Sequence, residues 1–217
     1  MSAGPSHNCA LRTDDVIVCW GNNDYGENSV PPGIFKSVSA GGGHTCALTT
    51  VDTVACWGNN EYRQTSPPTG TFKSVSAGFI HTCAIRTDDA IACWGDNFLN
   101  AATPPAGTFK SLSAARDWNC AIRTDDALVC WGAIDFGLGK VPGGTFKSVS
   151  TNRYGACAIR TDDAIACWGA IDFQTPGSQP TPPTGTFKSV SVAEDHICAL
   201  RTDDALVCWD RNAFGQA

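Results

Sequence analysis

Residues 71–97 read TFKSVSAGFIHTCAIRTDDAIACWGDN, and most of the chain consists of copies of this stretch. Cysteine shows the repeat most plainly, because the first cysteine of the stretch recurs every 37 residues from Cys9 to Cys157 and again 41 residues later at Cys198. Each is followed ten residues later by a second cysteine, which precedes a tryptophan. A fixed period of this length predicts a solenoid, a propeller or an array.

Three short runs within each copy predict β-strands. FKSVSAG, HTCAIR and AIACWG are rich in β-branched, aromatic and small apolar residues, lack a helical period and are separated by turn residues. A Pro-Gly connector such as residues 66–71 joins successive copies, and the variable stretch before it could form a fourth, outer strand, where an edge tolerates proline. We therefore expect an all-β fold, a six-bladed β-propeller of three- to four-stranded antiparallel blades that forms one domain over residues 1–217.

The first and last copies are incomplete. Residues 2–4 are in phase with residues 39–41. Ala217 is in phase with Thr65, so the nine positions equivalent to residues 66–74 have no counterpart between the two ends. We expect the two termini to meet in one incomplete blade and to close the ring of a monomer. The alternative is that an open edge at this point pairs with another chain and produces an oligomer.

The TDD turn places two cysteines opposite each other. With Thr87, Asp88 and Asp89 as a three-residue loop, Cys83 faces Cys93 in a non-hydrogen-bonded pair with Cα atoms about 4.5 Å apart, at the short end of disulfide geometry. The third loop residue should be left-handed, which aspartate tolerates. We predict six disulfides, and reduced, buried cysteines are the alternative. The predicted pairs are Cys9–Cys19, Cys46–Cys56, Cys83–Cys93, Cys120–Cys130, Cys157–Cys167 and Cys198–Cys208.

The recurring histidines and aspartates are interpreted as structural. Residues that recur at one position of several blades usually fix the backbone of each blade, and this position holds His7, His44, His81 and His196 but Trp118 and Gly155 in the other copies. Zinc would find only a His-x-Cys pair there. The aspartate pairs lie in tight turns rather than in a pocket suited to acid–base work. With no glycine-rich phosphate loop and no activated nucleophile, we predict a protein that is not an enzyme and that holds no metal ion or cofactor.

Charge and cysteine content restrict the partner and the compartment. The 15 basic against 21 acidic residues give a net charge of −6, which argues against a nucleic-acid partner. No apolar run approaches the length of a membrane span, so we expect no membrane insertion. The 12 cysteines form an even, in-phase set, which favours an oxidising compartment. We expect a secreted or extracellular protein whose signal peptide is not part of this sequence, because residues 1–15 lack an apolar core.

Two segments of each copy vary strongly, whereas the rest is nearly identical. The first joins strand one to strand two, as in residues 78–82, and the second follows the Trp-Gly pair, as in residues 96–103. Connections in an antiparallel blade alternate between its ends, so both variable segments should emerge on one face and the uniform TDD turns on the other. Variable loops on a rigid scaffold are where binding usually occurs.

The variable segments carry aromatic and charged side chains of the kind that dominate protein interfaces. The candidate protein-binding residues are Arg116, Asp117, Trp118, Arg153, Tyr154, Phe79, Tyr25, Tyr62, Phe98, Phe136, Phe173, Glu194 and Asp195. Trp118 stands out because the other six tryptophans all follow a cysteine. The alternative is that some of these rings pack against the neighbouring blade. This applies in particular to the rings that follow the Cys-Trp pair of each copy, of which Tyr25 is the first. We expect the partner to be another protein.

The copies resemble the regulator of chromosome condensation repeat, which combines a small-residue strand, a G-x-x-H-T segment, a T-x-D-G turn and a W-G-x-N segment. The matching residues are 77–78, 81–82, 87–90 and 94–97. Alanine or valine replaces the turn glycine, and six copies stand where well-known members have seven blades. The cysteine-bearing form is similar to the secreted bacterial β-lactamase inhibitor protein II superfamily, which implies a propeller that binds a protein through the loops of one face, with enzyme inhibition as one form of that binding.

Two other functions remain open. Sugar-binding propellers tend to repeat the same site in every blade, so a carbohydrate-binding lectin would be favoured by identical loops, whereas the loops here differ. A structural or engineered repeat scaffold with no dedicated ligand is suggested by the near-identity of the copies. A glycan array distinguishes a lectin from a protein binder, and capture of a partner distinguishes a protein binder from a scaffold.

Overall fold

A computed structural model of the chain describes residues 1–134, 140–169, 181–193 and 196–210. Six separate three-stranded antiparallel sheets form, one from each copy of the repeat, and this confirms the predicted all-β propeller architecture. We number them blades 1 to 6 in chain order. The strands are β1 (Ser2–Ala3), β2 (His7–Leu11), β3 (Ile17–Gly21), β4 (Phe35–Ala40), β5 (His44–Thr49), β6 (Val54–Gly58), β7 (Phe72–Ala77), β8 (His81–Arg86), β9 (Ile91–Gly95), β10 (Phe109–Ala114), β11 (Trp118–Arg123), β12 (Leu128–Gly132), β13 (Phe146–Thr151), β14 (Gly155–Arg160), β15 (Ile165–Gly169), β16 (Phe187–Val192), β17 (His196–Arg201) and β18 (Leu206–Asp210).

The hairpin between strands two and three has the predicted register. In blade 3, Cys83 lies opposite Cys93 and Ile85 opposite Ile91. Asp89 adopts the left-handed conformation with φ of 69°, as expected for the third residue of the loop. The same register brings all six predicted cysteine pairs into disulfides, with Cα atoms 4.0–4.1 Å apart. The alternative of reduced, buried cysteines is therefore wrong for this structure.

A fourth, outer strand does not form in the described residues. The variable segment after strand three instead makes turns, and a 3-10 helix spans Phe98–Asn100 in blade 3. Asparagine side chains explain this, because they bond the backbone of their own segment. Asn60 Oδ1 accepts a hydrogen bond from Thr65 N at 3.1 Å, and Asn59 Oδ1 accepts one from Glu61 N at 2.8 Å. Such local bonds compete with strand pairing.

One phenylalanine from strand one fills each junction between successive blades. Phe109, for example, packs against Cys83 and Ile85 of blade 3 and against Ala121 and Trp131 of its own blade. Its backbone N–H also donates to the Asp89 carbonyl of blade 3 at 2.8 Å. The phenylalanines in this position, 0–2% exposed, are Phe35, Phe72, Phe109, Phe146 and Phe187. The core of the propeller therefore lies between the blades as well as within them.

Truncation of one of these rings should be costly. We expect Phe109→Ala to lower the free energy of unfolding by about 3–5 kcal/mol, because the ring is fully buried and the two blades cannot collapse onto the cavity. Ile34→Ala serves as the control, since Ile34 is 54% exposed and should change stability by no more than about 0.5 kcal/mol. Urea unfolding followed by tryptophan fluorescence measures both. Equal effects of the two substitutions would contradict the role of the junction phenylalanine.

Among the residues that the structure describes, no helix has the length and hydropathy needed to cross a membrane.

Candidate protein-binding face

The two variable segments of a blade lie side by side at one end of the propeller. In blade 2 the N–H of Asn59, which opens the second segment, donates to the Gly43 carbonyl of the first segment at 2.8 Å. Asp96 makes the same bond to the Ile80 carbonyl in blade 3 at 3.0 Å. Equivalent bonds join Asn22 to Ser6 and Ala133 to Asp117. We call this end the variable-loop face, and it lies where the sequence predicted it.

The uniform segments meet at the opposite end, which we call the turn face. Arg86 Nη1 donates to the Thr69 carbonyl of the Pro-Gly connector at 3.2 Å. The hydroxyl groups of Thr71 and Thr87 share a hydrogen bond of 2.8 Å between the connector and the TDD turn. The nearly identical residues of the repeat therefore form the hydrogen bonds that join the Pro-Gly connector to the TDD turn. The residues that vary between copies lie on the other face.

The first variable segments of all six blades surround a central pocket of about 240 Å³. Its wall is made mainly of alanine, glycine and the backbone at the ends of the first strands, from Ala3 in blade 1 to Ala193 in blade 6. The larger residues at the pocket are Phe79, Arg116, Asn152 and Arg153, which belong to blades 3, 4 and 5. These three adjacent blades therefore give the pocket a polar and aromatic rim on one side.

Both arginines of this rim lie over aromatic rings. The Arg116 guanidinium is 4.7 Å from the centre of the Phe79 ring, and Arg153 is 4.9 Å from the centre of the Tyr154 ring. Arg116 Nε also lies 3.4 Å from Asp117 Oδ2. Cation–π contacts of this kind hold both groups in place while leaving the charge near solvent. Five of the predicted residues are thus brought together beside the pocket mouth.

The prediction that Trp118 is an exposed anchor is wrong. The residue is 2% exposed, and its ring packs in a core cluster with Ala115 and Phe146. Its Nε1 donates to the Arg153 carbonyl of the next blade at 3.4 Å. Trp118 stands at the repeat position that carries histidine in other blades, and this position faces the neighbouring blade. The shared position was a signal that Trp118 has a structural role, but the position alone does not show which surface covers the ring.

Three aromatic side chains of the second segments project from the variable-loop face. Tyr25 and Tyr62 occupy the same position in blades 1 and 2, Phe98 lies one residue earlier in blade 3, and the three are 61%, 45% and 57% exposed. Tyr25 leans toward blade 2, since a Cβ atom on Gly43 would lie 3.5 Å from its Cδ2 atom. Tyr25 therefore contacts the neighbouring blade, as the alternative interpretation expects. Most of its ring area nevertheless remains exposed to solvent.

The loops that carry these rings are held by two residues that sequence reasoning did not single out. Glu27 and Gln64 are 1% exposed, and their side chains accept hydrogen bonds of 2.8 Å from the N–H groups of Tyr25 and Tyr62. The Glu27 carbonyl also accepts a bond of 2.7 Å from Trp57 Nε1 of blade 2. The 37-residue spacing between Glu27 and Gln64 was the available signal. A loop fixed in this way loses little conformational entropy on binding.

The in-phase histidines bridge successive blades. His7 Nε2 lies 2.7 Å from Thr45 Oγ1, and His44 Nε2 lies 2.8 Å from Thr82 Oγ1. His81 Nε2 makes the corresponding contact of 2.7 Å with Asn119 Oδ1. Their structural interpretation is right, but the contact fixes the next blade rather than the histidine's own backbone.

Burial lowers the pKa of all three bridging histidines. The pKa of His44 falls to about 3, chiefly through loss of hydration and further through the neighbouring His81 and His7. Desolvation lowers the pKa of His7 and His81 as well, against the opposing effect of Glu27 on His7 and of the Asn119 hydrogen bond on His81. These imidazoles are therefore neutral near pH 7 and closed to solvent, which does not suit an acid–base role on a substrate.

The remaining predicted residues, Phe136, Phe173, Glu194 and Asp195, lie outside the described residues. Within residues 1–134, 140–169, 181–193 and 196–210, no three histidine, cysteine, aspartate or glutamate residues are grouped so that they could hold a metal ion.

Comparison with solved structures places the fold among known propellers. The CRINKLY WD40 ectodomain of the Arabidopsis thaliana receptor kinase ACR4 is 27% identical, with a TM-score of 0.78 over 97% of this chain and 80% of that one. The entire ectodomain of the Physcomitrella patens receptor kinase CR4 is 26% identical, with a TM-score of 0.79 over 95% of this chain. This chain spans only 59% of the length of that ectodomain.

A more distant structure shares the fold alone. Prp20p from Saccharomyces cerevisiae is 16% identical and aligns with a TM-score of 0.79 over 96% of this chain and 70% of its own.

A search of curated protein sequences finds no match. The family model of the regulator of chromosome condensation (RCC1) repeat matches residues 1–27, 35–64 and 72–100. The chain is therefore a β-propeller, and the segments within its first three copies are similar to the regulator of chromosome condensation (RCC1) repeat.

Proposed function

We propose that residues 1–217 form one non-enzymatic binding domain that recognises another protein through the variable-loop face. The observation that carries this proposal is the separation of the two faces. The repeated residues join connectors to turns at one end, while exposed aromatic and charged side chains gather at the other. A surface kept rigid and varied only in its loops is typical of a binding scaffold.

The composition of the variable-loop face supports a protein partner. Tyr25, Tyr62 and Phe98 offer large apolar areas at exposed positions, and the Arg116–Phe79 pair lies at the central pocket. Tyrosine and arginine are over-represented among the residues that dominate protein interfaces. Rigid loops add to this, because rings already held in place lose little freedom on association. Closure of this face over the mouth of an enzyme's active site is the inhibitory form of such binding.

An extracellular site of action fits the covalent structure. Six disulfides are stable in oxidising compartments and are rare in the cytosol. The similarity to two plant receptor-kinase ectodomains supports the same compartment. The negative net charge of −6 and the mixed charges of the pocket rim do not suit a phosphate backbone, so we propose a protein rather than a nucleic acid as partner.

Site-specific cross-linking tests this proposal. A photoreactive amino acid at Tyr62 should capture a partner from the fluid in which the protein acts, whereas the same amino acid at Val51, 71% exposed on the turn face, should not. We expect the triple variant Tyr25→Ser, Tyr62→Ser, Phe98→Ser to weaken binding of the captured partner at least about 100-fold, since one such anchor is worth about 2 kcal/mol or more. Val51→Ser should bind normally. Capture through Val51, or undiminished binding by the triple variant, would refute the proposal.

A carbohydrate ligand is the second candidate. The observation that favours it is the presence of an exposed aromatic ring in the second variable segment of blades 1, 2 and 3, at Tyr25, Tyr62 and Phe98. Three similar platforms could each pack against the apolar face of a sugar ring. A glycan array separates the candidates: binding that the triple serine variant abolishes, with no protein captured at Tyr62, would replace the proposed protein partner by a carbohydrate.

A further inference from the structure

The central pocket has a wall that repeats from blade to blade. All six blades contribute to it, so the pocket lies at the centre of the variable-loop face. The residue that ends strand one is alanine in blades 1 to 4, as at Ala114, and is Thr151 and Val192 in blades 5 and 6. The next residue is glycine or alanine in every blade except blade 5. Methyl groups and bare glycine backbone therefore make up most of the wall.

The polar groups of this wall bond to one another. The Gly42 N–H of blade 2 donates to the Gly78 carbonyl of blade 3 at 3.2 Å. Asn152 Nδ2 donates to the Ala193 carbonyl of blade 6, and its Oδ1 accepts a hydrogen bond of 2.8 Å from the Gly155 N–H. A polar ligand would give up its hydration here for few new hydrogen bonds. The wall therefore favours an apolar occupant.

The size and the mouth of the pocket suit one aromatic ring. An apolar protein cavity of about 150 Å³ holds a benzene molecule, and this pocket measures about 240 Å³. Phe79 and Arg116 lie at the mouth as a stacked pair, and Arg153 lies there on the adjacent blade 5. Phenylalanine rings and guanidinium groups both attract aromatic rings. These residues favour an aromatic occupant over an aliphatic one.

The glycine segment of blade 2, residues 41–43, connects the pocket to an exposed ring. A Cβ atom on Gly42 would lie 2.5 Å from Phe79 Cδ2, and one on Gly43 would lie 3.5 Å from Tyr25 Cδ2. The Phe79 ring thus lies directly on this backbone, with Tyr25 beside it. Tyr25 is 61% exposed. The pocket mouth is therefore continuous with the aromatic surface of the variable-loop face.

We propose that the central pocket receives one aromatic side chain of the protein partner. This inference rests on the proposed function and adds the chemistry of the contact: a phenylalanine, tyrosine or tryptophan at the tip of a protruding loop, since only a protruding loop reaches a recessed site. The ring lies among the alanine methyl groups and contacts Phe79 at the mouth. Side chains that fill pockets near the centre of an interface supply much of its binding energy.

A side-chain analogue tests the pocket without a partner. The probe is p-cresol, the side chain of tyrosine, titrated into the ¹⁵N-labelled full chain and followed by amide NMR. We expect saturable shifts of the Gly42, Gly78 and Ala115 signals, with a Kd on the order of 1 mM for a ligand of this size. The signal of Val51 on the turn face should not move. Methylcyclohexanol, the saturated counterpart of p-cresol, should bind several-fold more weakly.

Matched variants fill the pocket. Ala114→Leu should abolish the shifts, because the larger side chain takes the space of the ring. Ala114→Val should weaken p-cresol binding by roughly threefold or more. This change should leave the fold intact, since valine already stands at the same position in blade 6, at Val192. Ala90→Leu, beside the TDD turn of blade 3, is the control and should bind p-cresol like the wild type.

The partner captured at Tyr62 then tests where the ring comes from. Ala114→Leu should weaken its binding by about 30-fold or more. Normal partner binding by this variant would assign the pocket to a free aromatic compound and overturn the inference. So would an absence of saturable shifts with p-cresol, equal binding of methylcyclohexanol, or undiminished p-cresol binding by Ala114→Val. These results leave the proposed function standing, whereas failure to capture any protein at Tyr62 would refute both.

Discussion

Full reduction of the disulfides is expected to unfold the propeller at 37 °C, a temperature at which the oxidised protein should remain folded. Each bond closes a hairpin loop with a sequence separation of 10 residues and contributes about 2–3 kcal/mol by the chain-entropy estimate. Six such bonds together approach about 12–18 kcal/mol, whereas whole proteins are commonly stable by about 5–15 kcal/mol. The six disulfides therefore contribute a free energy comparable with the entire net stability of a typical protein.

Far-UV circular dichroism melts of the oxidised protein and of the reduced, alkylated protein measure this effect. The double variant Cys83→Ala, Cys93→Ala is the matched control, because it removes a single bond while leaving a small apolar side chain at each position. We expect that variant to lose only about 2–3 kcal/mol and to retain the fold. A reduced protein that melts within a few degrees of the oxidised one would show that packing between blades, rather than the disulfides, holds the ring together.

The sequence determined the hairpin register and the disulfides because both depend on local chemistry. A TDD turn needs a left-handed third residue, and once Asp89 takes that role the pairing of Cys83 with Cys93 follows from counting outward. The same counting along the antiparallel blade placed both variable segments on one face. These predictions required no knowledge of how one blade packs on the next.

Contacts between blades could not be predicted by counting residues within one copy of the repeat. Trp118 and His44 occupy one position of the repeat, yet whether that position faces solvent or the next blade depends on the rotation between blades, which no single copy contains. The backbone carbonyl of Glu27 shows the same limit, because it accepts a hydrogen bond from Trp57 Nε1 of the following blade, a contact that one copy does not reveal. The repeat period places a residue within its blade, but burial is set by the neighbour.

The incomplete first copy shows the same difference between what the repeat predicts and what packing between blades decides. Counting the repeat predicted one blade without a full first strand, and the structure has β1 reduced to Ser2–Ala3. Trp20 is 47% exposed and Leu206 is 70% exposed, and counting positions within one copy does not predict either value.

Acid is expected to destabilise the propeller as the pH falls from about 6.5 toward 3. In the folded protein the pKa of His44 is lowered to about 3, whereas in the unfolded chain it has its ordinary value of 6.5. Between these values the unfolded chain binds a proton that the folded protein does not, so stability is complete above pH 6.5 and is lost as the pH falls. The pKa values of His7 and His81 are lowered as well, and both act in the same direction.

The His44→Gln variant isolates this contribution, because glutamine can still bond Thr82 Oγ1 but takes up no proton in the unfolded chain. Urea unfolding at pH 7, 5 and 4 should show the wild type losing more stability than the variant, with a difference on the order of 3 kcal/mol by pH 4. Carboxylates protonate equally in both proteins, so their effect cancels in the comparison. Parallel pH profiles, or an NMR titration in which the His44 ring protonates near pH 6.5 in the folded state, would mean that the blade-bridging imidazole is open to solvent.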